Sequence, residues 1–349
     1  MTVTAGTSKP RPLTWQGRIG SLGRQLIRAR EASIFALLAV VTLAVWLQAP
    51  RFLSGANIRS IFLAIALLVV LAAGETVVLL GRNFDLSIGS ALGLSAMVAG
   101  LTLKGDAGLP DVLVFAIAIA VGVTVGVTNG LLVTYLRVPS IVLTLGMLYL
   151  ISGVTYVVAN GNQVNPYNVP QGFVSLSITS PIFGIPWIVI FAFVFAAVIG
   201  AALRSTRHGR SLYALGSNPE AAQLRGLPSR RLVIVTFVVS GGAAGLGGAM
   251  YLSQYGLVQI NAGSGLELQA ITAAIVGGVS VFGGSGTILG TTAACILLGA
   301  ITNGIAVLGY SPFLQDTVFG ALLVIAVIAN SVSRRLDLSH SLVRPELKS

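Results

Sequence analysis

Two long stretches of this 349-residue chain carry no charge at all: residues 138–203 and residues 268–315 contain no Asp, Glu, Lys or Arg. A helix crosses the hydrocarbon core of a bilayer in roughly 20 apolar residues, so each stretch must fold back across it at least once. The composition agrees. Only 9% of the residues are charged, 55% are hydrophobic and the mean hydropathy is +0.91, whereas a soluble domain carries about 25% charged residues. Too little polar surface is left to cover a soluble globule. The chain reads as an all-α polytopic membrane protein.

A net charge of +11 could suggest a nucleic-acid partner, but the placement of the basic residues argues against one. Lys9, Arg11, Arg18, Arg24, Arg28 and Arg30 precede the first apolar run. Arg204, Arg207, Arg210, Arg225, Arg230 and Arg231 share one central loop, and Arg334, Arg335, Arg344 and Lys348 end the chain. Lys and Arg accumulate on cytoplasmic loops, so all three segments are expected in the cytoplasm, with both termini there. An even number of crossings must then separate each pair of anchors. About ten spans satisfy this, with six before the central loop (30–49, 58–80, 86–103, 112–136, 139–159 and 186–204). Four follow it (232–253, 266–283, 287–308 and 313–331). The expected organisation is a basic cytoplasmic tail (1–29), one transmembrane domain (30–331) enclosing the cytoplasmic loop 204–231, and a C-terminal tail (332–349).

The basic start followed by an apolar run at Ile34 has the outline of a secretory signal, but no small-residue cleavage site is evident, and it reads as a retained first helix. The count places Arg82 and Arg137 inside and the Lys104, Asp106, Asp111 loop outside; Arg51 and Arg59 fall outside as exceptions. The stretch Asn160–Gly172, rich in turn formers and amides, reads as an external loop, either a solvated connector or a contact surface for an external partner. Cys295 lies in an apolar run and is expected to pack as a small hydrophobe.

Small residues allow close helix approach in lipid, and the chain has 42 glycines. Gly122, Gly126 and Gly130 form one such face, and Gly241 with Gly245 another. Two glycine-interrupted segments differ, Gly81–Gly89 and Gly277–Gly286. Both break an apolar run with polar and flexible residues, as happens in transporters where unwound backbone lines a cavity or is buried in protein.

Enzyme chemistry finds no footing. There is no G-x-x-x-x-G-K-[S/T] phosphate loop, since Gly283-Gly-Ser-Gly286 lacks the lysine, and no acidic residue follows at dinucleotide spacing. His208 and His340 lie in basic segments, and no cluster has metal-ligand spacing. Four acids lie in or near the spans. Asp85 is close to Arg82 and is expected either to cap a helix starting near Leu86 and pair with that arginine, or to act as a gate. Glu267 and Asp316 are placed near the hydrated outer interface without a role. Glu75 supports an alternative, an ion-coupled secondary transporter, although a carboxylate without a second acid or a histidine beside it makes a thin relay.

The central loop is more informative. Ser217 or Asn218 can cap a helix, Pro219 suits its first position, Glu220 complements the dipole, and Gly226 with Pro228 ends it. A helix of about two turns is too short to stand alone, so it is expected to dock against something.

Three segments together, Gly216-Ser-Asn-Pro-Glu-Ala-Ala222, Phe84-Asp-Leu-Ser-Ile-Gly-Ser90 and Ala274–Gly286, resemble the membrane permeases of ribose-type ABC importers, which serve ribose, xylose, rhamnose and autoinducer-2. The resemblance spans residues 34–331. It implies a permease of the bacterial inner membrane that works as a dimer, of identical or homologous subunits, with a periplasmic or lipid-anchored solute-binding protein. ATP and Mg would be bound by a separate cytoplasmic ATPase subunit, so no cofactor is expected in this chain. It further implies that Gly216, Ser217, Asn218, Pro219, Glu220, Ala221 and Ala222 form the helix that couples to the ATPase. Phe84, Asp85, Leu86 and Ser87 would lie at a broken helix beside the translocation path. Many sugar permeases of the group have Gly-Gly-Ile-Asp before the Leu-Ser; Arg82-Asn-Phe-Asp85 is compatible with the rhamnose and autoinducer-2 branches. The scarcity of charge in the spans favours a neutral, hydroxyl-rich solute, with branched-chain amino acids as the alternative cargo.

Overall fold

The computed structural model describes residues 15–180 and 184–342, with side chains described for 32–180 and 184–331. Residues 1–14 and 343–349 of the expected tails lie outside the described residues. Thirteen α-helices follow one another among the described residues. These are α1 (Trp15–Gln48), α2 (Gly55–Leu80), α3 (Ile88–Gly105), α4 (Asp111–Leu136), α5 (Ser140–Val158), α6 (Gln171–Ile178) and α7 (Trp187–Ser205). Then come α8 (Arg207–Ser217), α9 (Pro219–Leu224), α10 (Ser229–Tyr255), α11 (Leu266–Val276), α12 (Ile288–Val307) and α13 (Phe313–Leu342).

Among the described residues, eight helices are long and apolar enough to cross a membrane: α2, α3, α4, α5, α7, α10, α12 and the Phe313–Ser331 part of α13. The first expected span, 30–49, falls almost wholly within the 34-residue α1. One of the ten expected spans is corrected. The span expected over 266–283 is an 11-residue helix, α11, followed by an irregular loop. Apolar composition continues across that loop, so hydropathy alone could not separate a half-helix from a whole one.

The bundle is built around α2, which is buried from Ile65 to Leu80 and packs against α10, α12, α11 and α7. α10 makes the most extensive helix pair, with α4, and also covers α3. The α4–α10 pair is where the glycine faces meet. A Cβ on Gly122 would overlap Gly241 O and lie 2.6 Å from Gly245 N, and one on Gly126 would overlap Phe237 O. Main chains therefore touch directly, as small-residue faces allow in lipid. A buried hydroxyl pair, Thr76 Oγ1 to Thr291 Oγ1 at 2.9 Å, joins α2 to α12, and Cys295 packs in the core as expected.

The connector after α5 is more than a solvated strap. Val164 is fully buried and exchanges two 3.0 Å backbone hydrogen bonds with Val258. α6 then packs on α10, with Ser253 Oγ donating to Phe173 O at 2.8 Å. Beyond Gly256, whose φ of +63° ends α10 in a left-handed turn, residues 257–265 run without helix until α11 begins.

Candidate functional site

The first glycine-interrupted segment is the turn between α2 and α3. Four successive N–H groups there, from Phe84 to Ser87, have no helical partner, and each is met by a side chain. Ser140 Oγ accepts from Phe84 N (3.1 Å), Glu75 Oε1 from Asp85 N (3.2 Å), Thr144 Oγ1 from Leu86 N (3.1 Å) and Asp85 Oδ1 from Ser87 N (3.1 Å). Buried backbone donors must be paired, and here α2 and α5 supply most of the acceptors.

Asp85 is the hub. Its Oδ1 accepts from Ser87 Oγ at 2.6 Å and from Asn129 Nδ2 at 3.5 Å, while Oδ2 accepts from Ser240 Oγ at 2.8 Å. Asn129 Nδ2 also donates to Ser87 Oγ at 2.7 Å. One carboxylate thus ties the turn to α4 and α10. The expectation of an Arg82 partner is corrected, since Arg82 is exposed and hydroxyls with an amide hold the carboxylate. The capping expectation is corrected too, because α3 starts at Ile88 and Asp85 closes a local turn onto Ser87 N. Burial of this acid is tolerated because its lone pairs are used. Phe84 and Leu86 are half-buried, whereas Asp85 and Ser87 are buried.

Glu75 does have a second acid beside it, contrary to the sequence reading: its carboxylate holds the backbone of Asp85. Its Oε2 is buried without a partner, as is Asn129 Oδ1. Glu75→Gln keeps an acceptor for Asp85 N, so the variant is expected to unfold in detergent at nearly the wild-type temperature and to retain transport. Glu75→Ala orphans that N–H at a cost of about 1–3 kcal/mol and is expected to melt clearly lower. Loss of transport in a well-folded Glu75→Gln protein would favour ion coupling through this acid.

Glu267 is corrected from a hydrated position. It is 9% exposed, in the first turn of α11, with both carboxylate oxygens accepting from Gly265 N at 3.1 Å.

The loop 204–231 holds two helices. α9 begins as expected, with Asn218 Oδ1 accepting from Ala221 N at 3.0 Å, Pro219 in the first position and Glu220 in the first turn. Gly226, at φ +72°, follows its end. α8 was not anticipated, because its basic start reads as loop. Thr206 caps it by accepting from Gly209 N at 3.1 Å.

α8, which leads into the Gly216–Ala222 segment, meets the end of α2 and the second glycine segment. A Cβ on Gly216 would overlap Leu80 O, at the end of α2, and lie 2.5 Å from Gly284 N, in the second glycine segment. Gly284 N itself donates to Leu80 O at 3.1 Å. Tyr213 Oη donates to Gly286 O at 2.8 Å. Burial pushes the Tyr213 phenol up from its ordinary value, against the opposing charge of Arg204, so the hydroxyl keeps its proton. Ser217, Asn218, Glu220 and Ala221 are exposed, whereas Gly216 and Ala222 are buried. Leu224, at the end of α9, is 89% exposed. No group of three or more potential metal ligands occurs among the described residues.

A many-helix membrane bundle with interrupted spans and a short helix pair docked on it defines a membrane transport protein. Residues 57–327 match the family described as branched-chain amino acid transport system / permease component. The chain belongs to that family. Curated relatives include the autoinducer 2 import system permease protein LsrC of Salmonella typhi, 35% identical over 84% of each chain. LsrC of Enterobacter sp. (strain 638) is 34% identical over 91% of each chain. LsrC of Yersinia enterocolitica is 34% identical over 84% of this chain and 78% of its own. No solved structure matches. The chain is a permease component, not a catalytic ATPase subunit, and a multi-pass inner-membrane protein.

Proposed function

We propose that this permease translocates a neutral sugar or sugar-like solute of the autoinducer-2, rhamnose or ribose class, driven by a separate ABC ATPase. The observation that carries the reading is the meeting of α8 with the end of α2 at Leu80 and with the second glycine segment at Gly284. A push on the cytoplasmic helices reaches the end of α2 and the loop before α12 without a flexible intermediary. The relatives' printed names give autoinducer 2 as their solute, and the uncharged spans agree with a neutral, hydroxyl-rich one.

In this reading both termini are cytoplasmic, and α9, with Gly216–Ala222 at its start, docks in the ATPase. The turn Phe84–Ser87 is the inner gate beside the path. The permease pairs with a second copy or a homologue and receives solute from a binding protein. ATP binding moves the helix pair as a rigid body and biases the bundle between two packings, which is alternating access. The tagged chain, purified in mild detergent from its host, is expected to give two permeases with an ATPase by native mass spectrometry. A lone monomer would count against the importer. Competition by neutral sugars is expected to exceed that by leucine, and inhibition by leucine alone would make branched-chain amino acids the cargo.

Glu220 supplies a direct check on α9. It is exposed in the first turn, so reversal to arginine costs the helix only about 1 kcal/mol or less. Glu220→Arg is expected to leave the permease folded but to lower transport per ATP hydrolysed. Unchanged coupling would remove α9 from the ATPase interface.

A further inference from the structure

We propose that residues 257–265, the non-helical run between α10 and α11, line the water-filled path of the solute through the outer half of the membrane, with Gln259, Asn261 and Ser264 as its hydroxyl-binding groups. The inference rests on the topology and solute class proposed above.

The depth of this run is fixed by its contacts with α3, a membrane-spanning helix. At the top, Val258 pairs with Val164, whose side chain sits against Gly100. Further down, Ala262 O occupies the place of a Cβ on Gly93, and Gly263 O lies 2.6 Å from that of Gly89. From Gly100 to Gly89 α3 descends about 16 Å at 1.5 Å per residue, roughly half of a 30 Å hydrocarbon core. The run therefore descends into the bilayer as irregular backbone.

Its two sides differ. Val258, Ala262 and Gly263 are buried against the bundle, whereas Gln259, Asn261 and Ser264 are exposed. Irregular backbone at membrane depth is tolerated only where protein buries it or a water-filled cavity receives it. α3 provides the first condition on one side, and the three polar side chains on the other fit the second, a hydrated cavity. Glu267, directly below, is buried and turned onto Gly265 N, which leaves the exposed side uncharged. Amides and a hydroxyl that both donate and accept suit the hydroxyls of a neutral polyol, and no full charge stands beside them to favour an ion. Hydropathy missed the feature because the run adjoins an apolar half-helix.

Substituted-cysteine labelling of the full transporter in right-side-out vesicles tests the proposal. Cys295 is fully buried and gives a silent background. Gln259→Cys, Asn261→Cys and Ser264→Cys are treated with a charged, membrane-impermeant methanethiosulfonate, with Val154→Cys on the exposed apolar face of α5 as the lipid-facing control. Only a hydrated thiolate reacts, so labelling at least about tenfold faster than the control is expected. Rates no faster than the control at all three positions would overturn the proposal; Ser264→Cys, nearly isosteric, keeps it testable if the amide replacements fold poorly. A neutral monosaccharide at saturating concentration is expected to slow labelling several-fold. Protection by leucine instead would leave the aqueous path standing and overturn the sugar reading and, with it, the assignment of hydroxyl-binding groups.

Discussion

Valine at Gly122 or Gly126 is expected to prevent stable assembly of the bundle, and to do so more severely than any substitution in the polar cluster. A Cβ at either position lands on main-chain atoms of α10: Gly241 O and Gly245 N in one case, Phe237 O and C in the other. Backbone cannot rotate away as a side chain can, so the helices must separate. Overpacking costs about 1–3 kcal/mol where side chains can shift, and a main-chain clash at the most extensive helix pair belongs at or above that range. Separation also removes dispersion contacts along both helices, which hold a membrane bundle together in the absence of a hydrophobic force between helices. Thermal unfolding in detergent, followed by size-exclusion profile, is the measurement. Gly146→Ala and Gly153→Ala on α5, where an added Cβ meets nothing within 4 Å, are expected to melt at the wild-type temperature. If Gly122→Val melts with them, the α4–α10 approach is looser than described.

These glycines also mark what the sequence can disclose. Four-residue spacing identified both faces correctly, because helix geometry converts spacing into a shared side. The helix signals around Asn218, Pro219 and Glu220 were legible for the same reason, since capping is decided within four residues. Eight spans followed from length and hydropathy. What stayed hidden is non-local or irregular. Asp85 looked like a partner for Arg82, three positions away, yet its ligands come from Asn129 and from Ser240, 155 residues distant. Ser140 and Thr144 gave no signal, because a hydroxyl in an apolar helix commonly bonds its own backbone; Thr144 does so with Ser140 O while also accepting from Leu86 N. Glu267 was placed near the hydrated outer interface, but it is buried and the local Gly265 N donates to it. The same irregularity disguised α11 as a full span, since hydropathy measures composition and not hydrogen bonding.

Gly216→Ala is expected to disconnect ATP hydrolysis from transport without disrupting assembly. The added methyl would overlap Leu80 O and approach Gly284 N to 2.5 Å, and both are main-chain atoms already bonded to each other at 3.1 Å. α8 must lift, which strains Tyr213 Oη from Gly286 O and Ser217 Oγ from Gly284 O, bonds of 2.8 Å and 3.4 Å. The damage is confined to the inner side of the helix pair, because Glu220, Gln223 and Leu224 face outward. Under the proposed coupling the ATPase should still bind and hydrolyse ATP while its motion no longer reaches α2. A differential bias of 1.4 kcal/mol changes a two-state ratio tenfold, and overpacking supplies about that much or more, so transport per ATP is expected to fall at least about tenfold. Ser217→Ala, which removes only one hydroxyl's bonds at an exposed site, sets the scale for a minor perturbation. Proteoliposomes of the assembled complex, assayed for uptake and phosphate release together, give the ratio. A parallel fall of both activities would mean that α8 supports assembly alone, and an unchanged ratio would mean that the force reaches the bundle by a route other than the contact between Gly216, Leu80 and Gly284.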